Sequence, residues 1–248
     1  MLITELHRPG IYRRKIRLFS KIGEIRADME DDSHRFGLVV KHDGFRVVAI
    51  EGIPMRTPWT LCSGAKERLQ DLTGRNLADY PIAASGNQDA KQQCTHMFDL
   101  AILAIAHAAR PLGSREYEIE APWYAMNEPR YITLLRDGHV IAKWTLLGNK
   151  LLVPVTLDEI GVKSLLTWAS ENTKNADELE AIFIMRRSVL ISGSRIMDLD
   201  NIPNPEATGH GIGACYVHQP SRISIAKRNR GSTLDFTENP ESLLSDFH

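Results

Sequence analysis

Residues 11–50 read IYRRKIRLFSKIGEIRADMEDDSHRFGLVVKHDGFRVVAI. Over residues 11–19, Ile16 and Leu18 fall on one face and Arg13, Lys15 and Arg17 on the other. That period of two marks a half-buried strand with a basic outer row. Ile25, Ala27 and Met29 alternate in the same way with Glu24, Arg26 and Asp28. Asp31-Asp32-Ser33 is a polar turn, residues 35–40 read as a third strand, and His42-Asp43-Gly44 is a tight-turn signal before a β-rich run over 45–50. Short turns between successive strands give an antiparallel meander of three or four strands.

Outward from the meander, the proline-containing stretch 52–58 is expected to end the strands. Ser63 can cap a helix whose Ala65, Leu69 and Leu72 recur at i, i+4 and i+7, with Gly74 as its stop. Residues 76–89, with Pro81 and Gly86, read as a polar connection. Thr95 can cap a second helix, on which Leu100, Ala101, Ala104, Ile105 and Ala108 cover one broad face before Pro111. The second half reads as another β-rich unit. Residues 116–130 look like an aromatic, proline-rich connector with Trp123 and Tyr124. A hairpin over 131–147 turns at Asp137-Gly138, Gly148-Asn149 makes a second turn, and a strand follows over 150–155. Thr156 is a candidate cap for a helix over 157–172, with Ile160, Leu165, Trp168 and Ala169 as core positions. Residues 181–191 read as a mostly buried strand.

Composition narrows the function classes. A net charge of −1 argues against a dedicated nucleic-acid binder, and 43% apolar with 25% charged residues is ordinary for a globular chain. The apolar run 100–109 is too short to span a bilayer. Residues 1–10 show no signal-peptide pattern, so a cytoplasmic protein is expected. Three cysteines at 62, 94 and 215 do not read as a disulfide framework. Motifs for nucleotide loops and for α/β-hydrolase elbows are missing.

The chemistry-bearing residues gather in the first half. Cys62 and Cys94 each precede a plausible helix start, where the partial positive charge favours thiolate. His96 lies in the first turn after Cys94, and His34 stands at the start of a strand. Two cysteines can equally be packing residues, because cysteine is often buried. Asp99 and His107, on the second helix, are candidate acid–base groups, although a histidine on an apolar helix also reads as a satisfied core residue. Residues 198–213 form a polar loop with Asp198, Asp200 and His210, running on to Cys215 and His218. These can form a second polar site or lid, or a surface loop with Cys215 and His218 on opposite faces of a short strand. The basic cluster over 227–232 reads as a solvated turn or an anion contact.

The order of elements resembles the U-type iron–sulfur scaffold fold: a meander, a cysteine before a helix, and a second cysteine leading another helix. Here the sites read Leu61-Cys62-Ser63-Gly64-Ala65 and Gln93-Cys94-Thr95-His96-Met97. The chain also looks like a bacterial domain family of unknown function with an upstream cysteine, a Cys-Thr-His segment and a histidine on the meander. That resemblance covers roughly residues 8–112 and implies a metal set of Cys62, Cys94, His96 and His34. In the scaffold the histidine directly precedes the second cysteine, where this chain has Gln93.

The resulting expectation is an α+β protein with a scaffold-like unit at 1–112 and a β-rich unit at 113–248. Its function is expected to be that of a small-molecule metalloenzyme using one divalent metal, Zn or Fe, as Lewis acid or water activator. The partner is a small-molecule substrate, with no nucleic acid and no membrane, and homo-oligomerisation stays open. The alternatives are a non-catalytic metal or iron–sulfur carrier and an interaction protein whose cysteines only pack.

Overall fold

The computed structural model describes residues 10–85, 90–110, 113–122, 128–148, 150–154 and 160–246. The expected stop at Pro111, the pair Trp123 and Tyr124, the turn residue Asn149, the cap Thr156 and the Gly86 part of the 76–89 connection lie outside them. The protein is α+β, built on an antiparallel meander, and divides into two compact units. One comprises residues 16–115 and 199–234. The other comprises 1–15, 116–198 and 235–248. Neither unit is continuous in sequence.

In the first unit the strands are β1 (Ile11–Lys21, which begins in the other unit), β2 (Glu24–Asp31), β3 (Arg35–His42) and β4 (Val47–Arg56), in the order β4-β3-β2-β1. β2 and β3 pair from Glu24↔Lys41 to Glu30↔Arg35. The alternation read in the sequence puts Ile25, Ala27 and Met29 in the core. β4 does not stop at Gly52 as expected but runs through Pro54 to Arg56. It is the edge strand of this order, and an edge can accommodate a residue without an N–H.

A 3-10 helix, Cys62–Leu72, follows; it begins at Cys62 itself, with no side-chain cap from Ser63. It lies close on β4 because Gly52 has no side chain. A Cβ there would come within 2.8 Å of Leu69 Cδ1. The connection expected over 76–89 contains a short helix, α1 (Pro81–Ser85). Helix α2 (Thr95–Ala108) has Cys94, not Thr95, at its N-cap position. All its residues from His96 to His107 are buried, and it packs on β2 and β3. A helix apolar nearly all round has no face to give to water.

In the other unit the order is β1, β5 (Arg115–Pro122), β6 (Arg130–Arg136), β7 (His139–Leu147) and β8 (Lys150–Val153). The expected connector over 116–130 is thus partly strand. Tyr117, Ile119 and Ala121 alternate inward along β5, which pairs with β6. The β6–β7 turn is as expected, with Asp137 at φ 51° and Gly138 at φ 78°. Of the expected helix over 157–172, residues 157–159 lie outside the described residues, 160–164 are not helical, and α3 (Leu165–Asn172) begins at Leu165, with Leu165 and Ala169 buried. The expected strand over 181–191 is instead the interior of helix α4 (Ala176–Ser192). Asn175 caps α4 by accepting the N–H groups of Asp177 (3.0 Å) and Glu178 (3.2 Å). Buried Glu180 of α4 accepts the Tyr117 hydroxyl.

Candidate metal centre

The turn between β2 and β3 is built by one carboxylate. Asp31 Oδ1 accepts the backbone N–H groups of Ser33 and His34, both at 2.9 Å, and the Asp31 N–H donates to the His34 carbonyl at 2.9 Å. Aspartate favours such turns because its short side chain reaches the backbone two and three residues on. The same oxygen lies 3.0 Å from His34 Nδ1. Since a carboxylate only accepts, that nitrogen carries the proton, and in the neutral ring Nε2 then holds the lone pair.

Arg56, at the end of β4, clamps this turn. Its Nη2 donates to Asp31 O (2.6 Å), His34 O (3.3 Å) and Glu30 Oε1 (3.0 Å), and its Nη1 to the carbonyls of Asp32 and Ser232, both at 2.8 Å. Glu30, Asp31 and Asp32 are all buried. Arg56 therefore supplies the positive charge and donors that let this acidic turn be taken from water.

From α2, His96 meets the turn. Its ring stacks on that of His34, centroids 3.8 Å apart and planes at 24°, with Phe36 of β3 beside both. Donor atoms of Asp31, His34 and His96 all lie within 4.8 Å of one another. Donors bound to Zn²⁺ or Fe²⁺ at about 2.0–2.2 Å sit roughly 3–3.5 Å apart, so modest side-chain rotation would close the group on an ion.

Of the expected ligands, the structure therefore brings His34 and His96 together. It adds Asp31, which the sequence offered only as a turn residue, and Arg56, for which nothing in the sequence spoke. The cysteines are not members of that three-residue group. Cys62 and Cys94 are buried thiols, and burial pushes both pKa values up, Cys94 to about 12 and Cys62 well above its ordinary value. The expected helix-start effect is present at Cys94, where the Met97 and His96 N–H groups favour thiolate, but desolvation outweighs it. Ionisation of Cys94 or Cys215 would raise Cys62 further, and ionisation of Cys215 would also raise Cys94.

Of the two acid–base candidates, Asp99 is buried and its charge adds to the rise at Cys94. His107 is fully buried, and its Nε2 lies 2.7 Å from the Gly113 carbonyl. Eleven residues of helix, about 16 Å, separate it from His96. It holds the end of α2 rather than joining the cluster.

The late segment is folded onto the same unit. Asp200 accepts Arg228 Nε and the Gly231 N–H, both at 3.0 Å, so the basic cluster over 227–232 already holds a carboxylate of its own chain. The Tyr216 N–H donates to Gln93 O at 2.9 Å, and the Tyr216 hydroxyl lies where a Cβ on Gly64 would intrude at 2.8 Å. Gly64 is therefore the residue that lets residues 215–218 approach the Cys62 helix. Residues 216–218 form a 3-10 turn rather than a strand, and Cys215 Sγ lies 3.2 Å from His218 Nδ1. The opposite-faces expectation for these two residues is corrected accordingly.

Residues 19–110 match the model of a family described as protein of unknown function (DUF2889). The matched stretch holds Asp31, His34, Arg56, Cys62, Cys94 and His96, but not Cys215 or His218. No curated protein matches the chain.

Proposed function

We propose that the protein is a metal-dependent enzyme acting on a small molecule, with a divalent Zn or Fe ion held by His34 and His96. Asp31 serves as ligand through its second oxygen or as the carboxylate orienting His34, whereas Cys62 and Cys94 lie outside that three-residue group as buried thiols. The observation that carries this reading is the His34–His96 stack on buried Asp31, which joins a meander turn to a helix far away in sequence. Two imidazoles and a carboxylate suit such an ion and leave coordination positions open, where it polarises a carbonyl or activates water. His34 suits ligation because Asp31 fixes the tautomer with Nε2 bare, the arrangement that orients a metal-bound histidine.

The second reading is a non-catalytic carrier that holds its metal through Cys62 and Cys94, two buried thiols of the same unit. The absorption spectrum of the cobalt-loaded protein separates the readings. A visible d–d spectrum lost in His96→Ala supports the imidazole site. A sulfur-to-metal charge-transfer band that disappears in Cys62→Ser and Cys94→Ser shows whether the thiols join it. Cobalt that binds only through sulfur, with His34→Ala and His96→Ala unchanged, would leave the carrier.

A further inference from the structure

We propose that Cys215 is a nucleophilic thiol with His218 as its general base, a second reactive site that accepts acyl groups. Nucleophile, base and orienting group stand in sequence. Cys215 Sγ lies 3.2 Å from His218 Nδ1, and His218 Nε2 lies 3.5 Å from Thr208 Oγ1. The Thr208 hydroxyl donates to the Pro205 carbonyl at 2.7 Å, and its oxygen also accepts the His210 backbone N–H at 3.2 Å and lies 2.9 Å from His210 Nδ1. The Pro205 carbonyl also faces the imidazole as an acceptor. With the proton on Nε2, towards Thr208, Nδ1 is bare and faces the thiol at 3.2 Å. That is the tautomer a base needs.

The surroundings fit the role. His218 is buried and its pKa is lowered, first by desolvation and then by the nearby charge of His210, so the ring is neutral near pH 7 and can take a proton. Cys215, unlike Cys62 and Cys94, is partly exposed. Gly209, Gly211 and Gly213, in the segment leading to it, have open space where a side chain would stand.

In the step, Cys215 Sγ forms a bond to the acyl carbon and the thiol proton passes to His218 Nδ1. The bond from that carbon to the leaving oxygen then breaks, and the departing group takes the electron pair and the proton from His218. The relay serves acyl transfer in particular, because there the leaving group needs the proton that the base has collected.

Treating the full-length protein with p-nitrophenyl acetate and mapping its peptides tests this. A hydroxylamine-sensitive acetyl group is expected on Cys215, formed at least about tenfold faster than on Cys62 or Cys94, with His218→Gln slowing it about 100-fold. Because no metal takes part, chelation should leave the rate unchanged, which keeps this result distinct from the fate of the metal site. Acetylation spread evenly over cysteines and lysines would overturn the proposal, as would an unchanged rate in folded His218→Gln. Should His218→Gln not fold, Thr208→Val decides. A several-fold drop supports the relay, and an unchanged rate refutes it.

Discussion

At Asp31 a single oxygen carries two backbone N–H groups and an imidazole, while Arg56 gathers the carbonyls around it. The histidine ring is thereby fixed before any ligand arrives, which is what a preorganised metal ligand requires. The thiols behave differently. Burial holds Cys94 as a thiol up to about 12, against an ordinary 9.0, and raises Cys62 in the same direction. Between those pH values the unfolded chain has lost protons that the folded chain keeps. The stability these thiols contribute is therefore complete below about pH 9 and is lost as pH rises towards 12. Thermal melts of metal-free protein across the alkaline range should fall, and Cys94→Ala should flatten that fall. An equal fall in the variant would remove burial of Cys94 as its cause.

At the scale of elements, the period of two made the meander and the Asp137-Gly138 hairpin readable, because alternation and turn chemistry are local. Helix α4 was not readable in the same way. Its stretch Ala-Ile-Phe-Ile-Met is β-prone in isolation, and the deciding features are the Asn175 cap and Leu179, Ile182 and Phe183 at helical spacing. β4 ran past its proline for a reason visible only in the strand order. The candidate site was half legible. His34 and His96 stood out by type and position, whereas Asp31 passed as a turn former and Arg56 acts through contacts 22 to 25 residues away or more. If the cap decides α4, Asn175→Ala should cost about 1 kcal/mol and lower Tm without altering metal content. A neutral effect would mean that packing alone holds the helix.

Across the whole molecule, the family match at 19–110 falls within one unit, and the segment 199–234 returns to that unit from the far end of the chain. Asp31, His34 and His96 of the candidate metal site and the Cys215–His218 pair therefore belong to one compact body. Among the described residues no helix is long and apolar enough to cross a membrane. The central question is whether that body holds an ion through its two stacked histidines. Elemental analysis of the full chain, purified without air and mildly chelated, measures this directly. A stoichiometric divalent metal is predicted in the wild type and in His107→Ala, with sharp loss in His34→Ala and His96→Ala and a lower Tm in both. Full metal occupancy in folded His96→Ala, or a wild-type chain that takes up neither zinc nor iron, would contradict it.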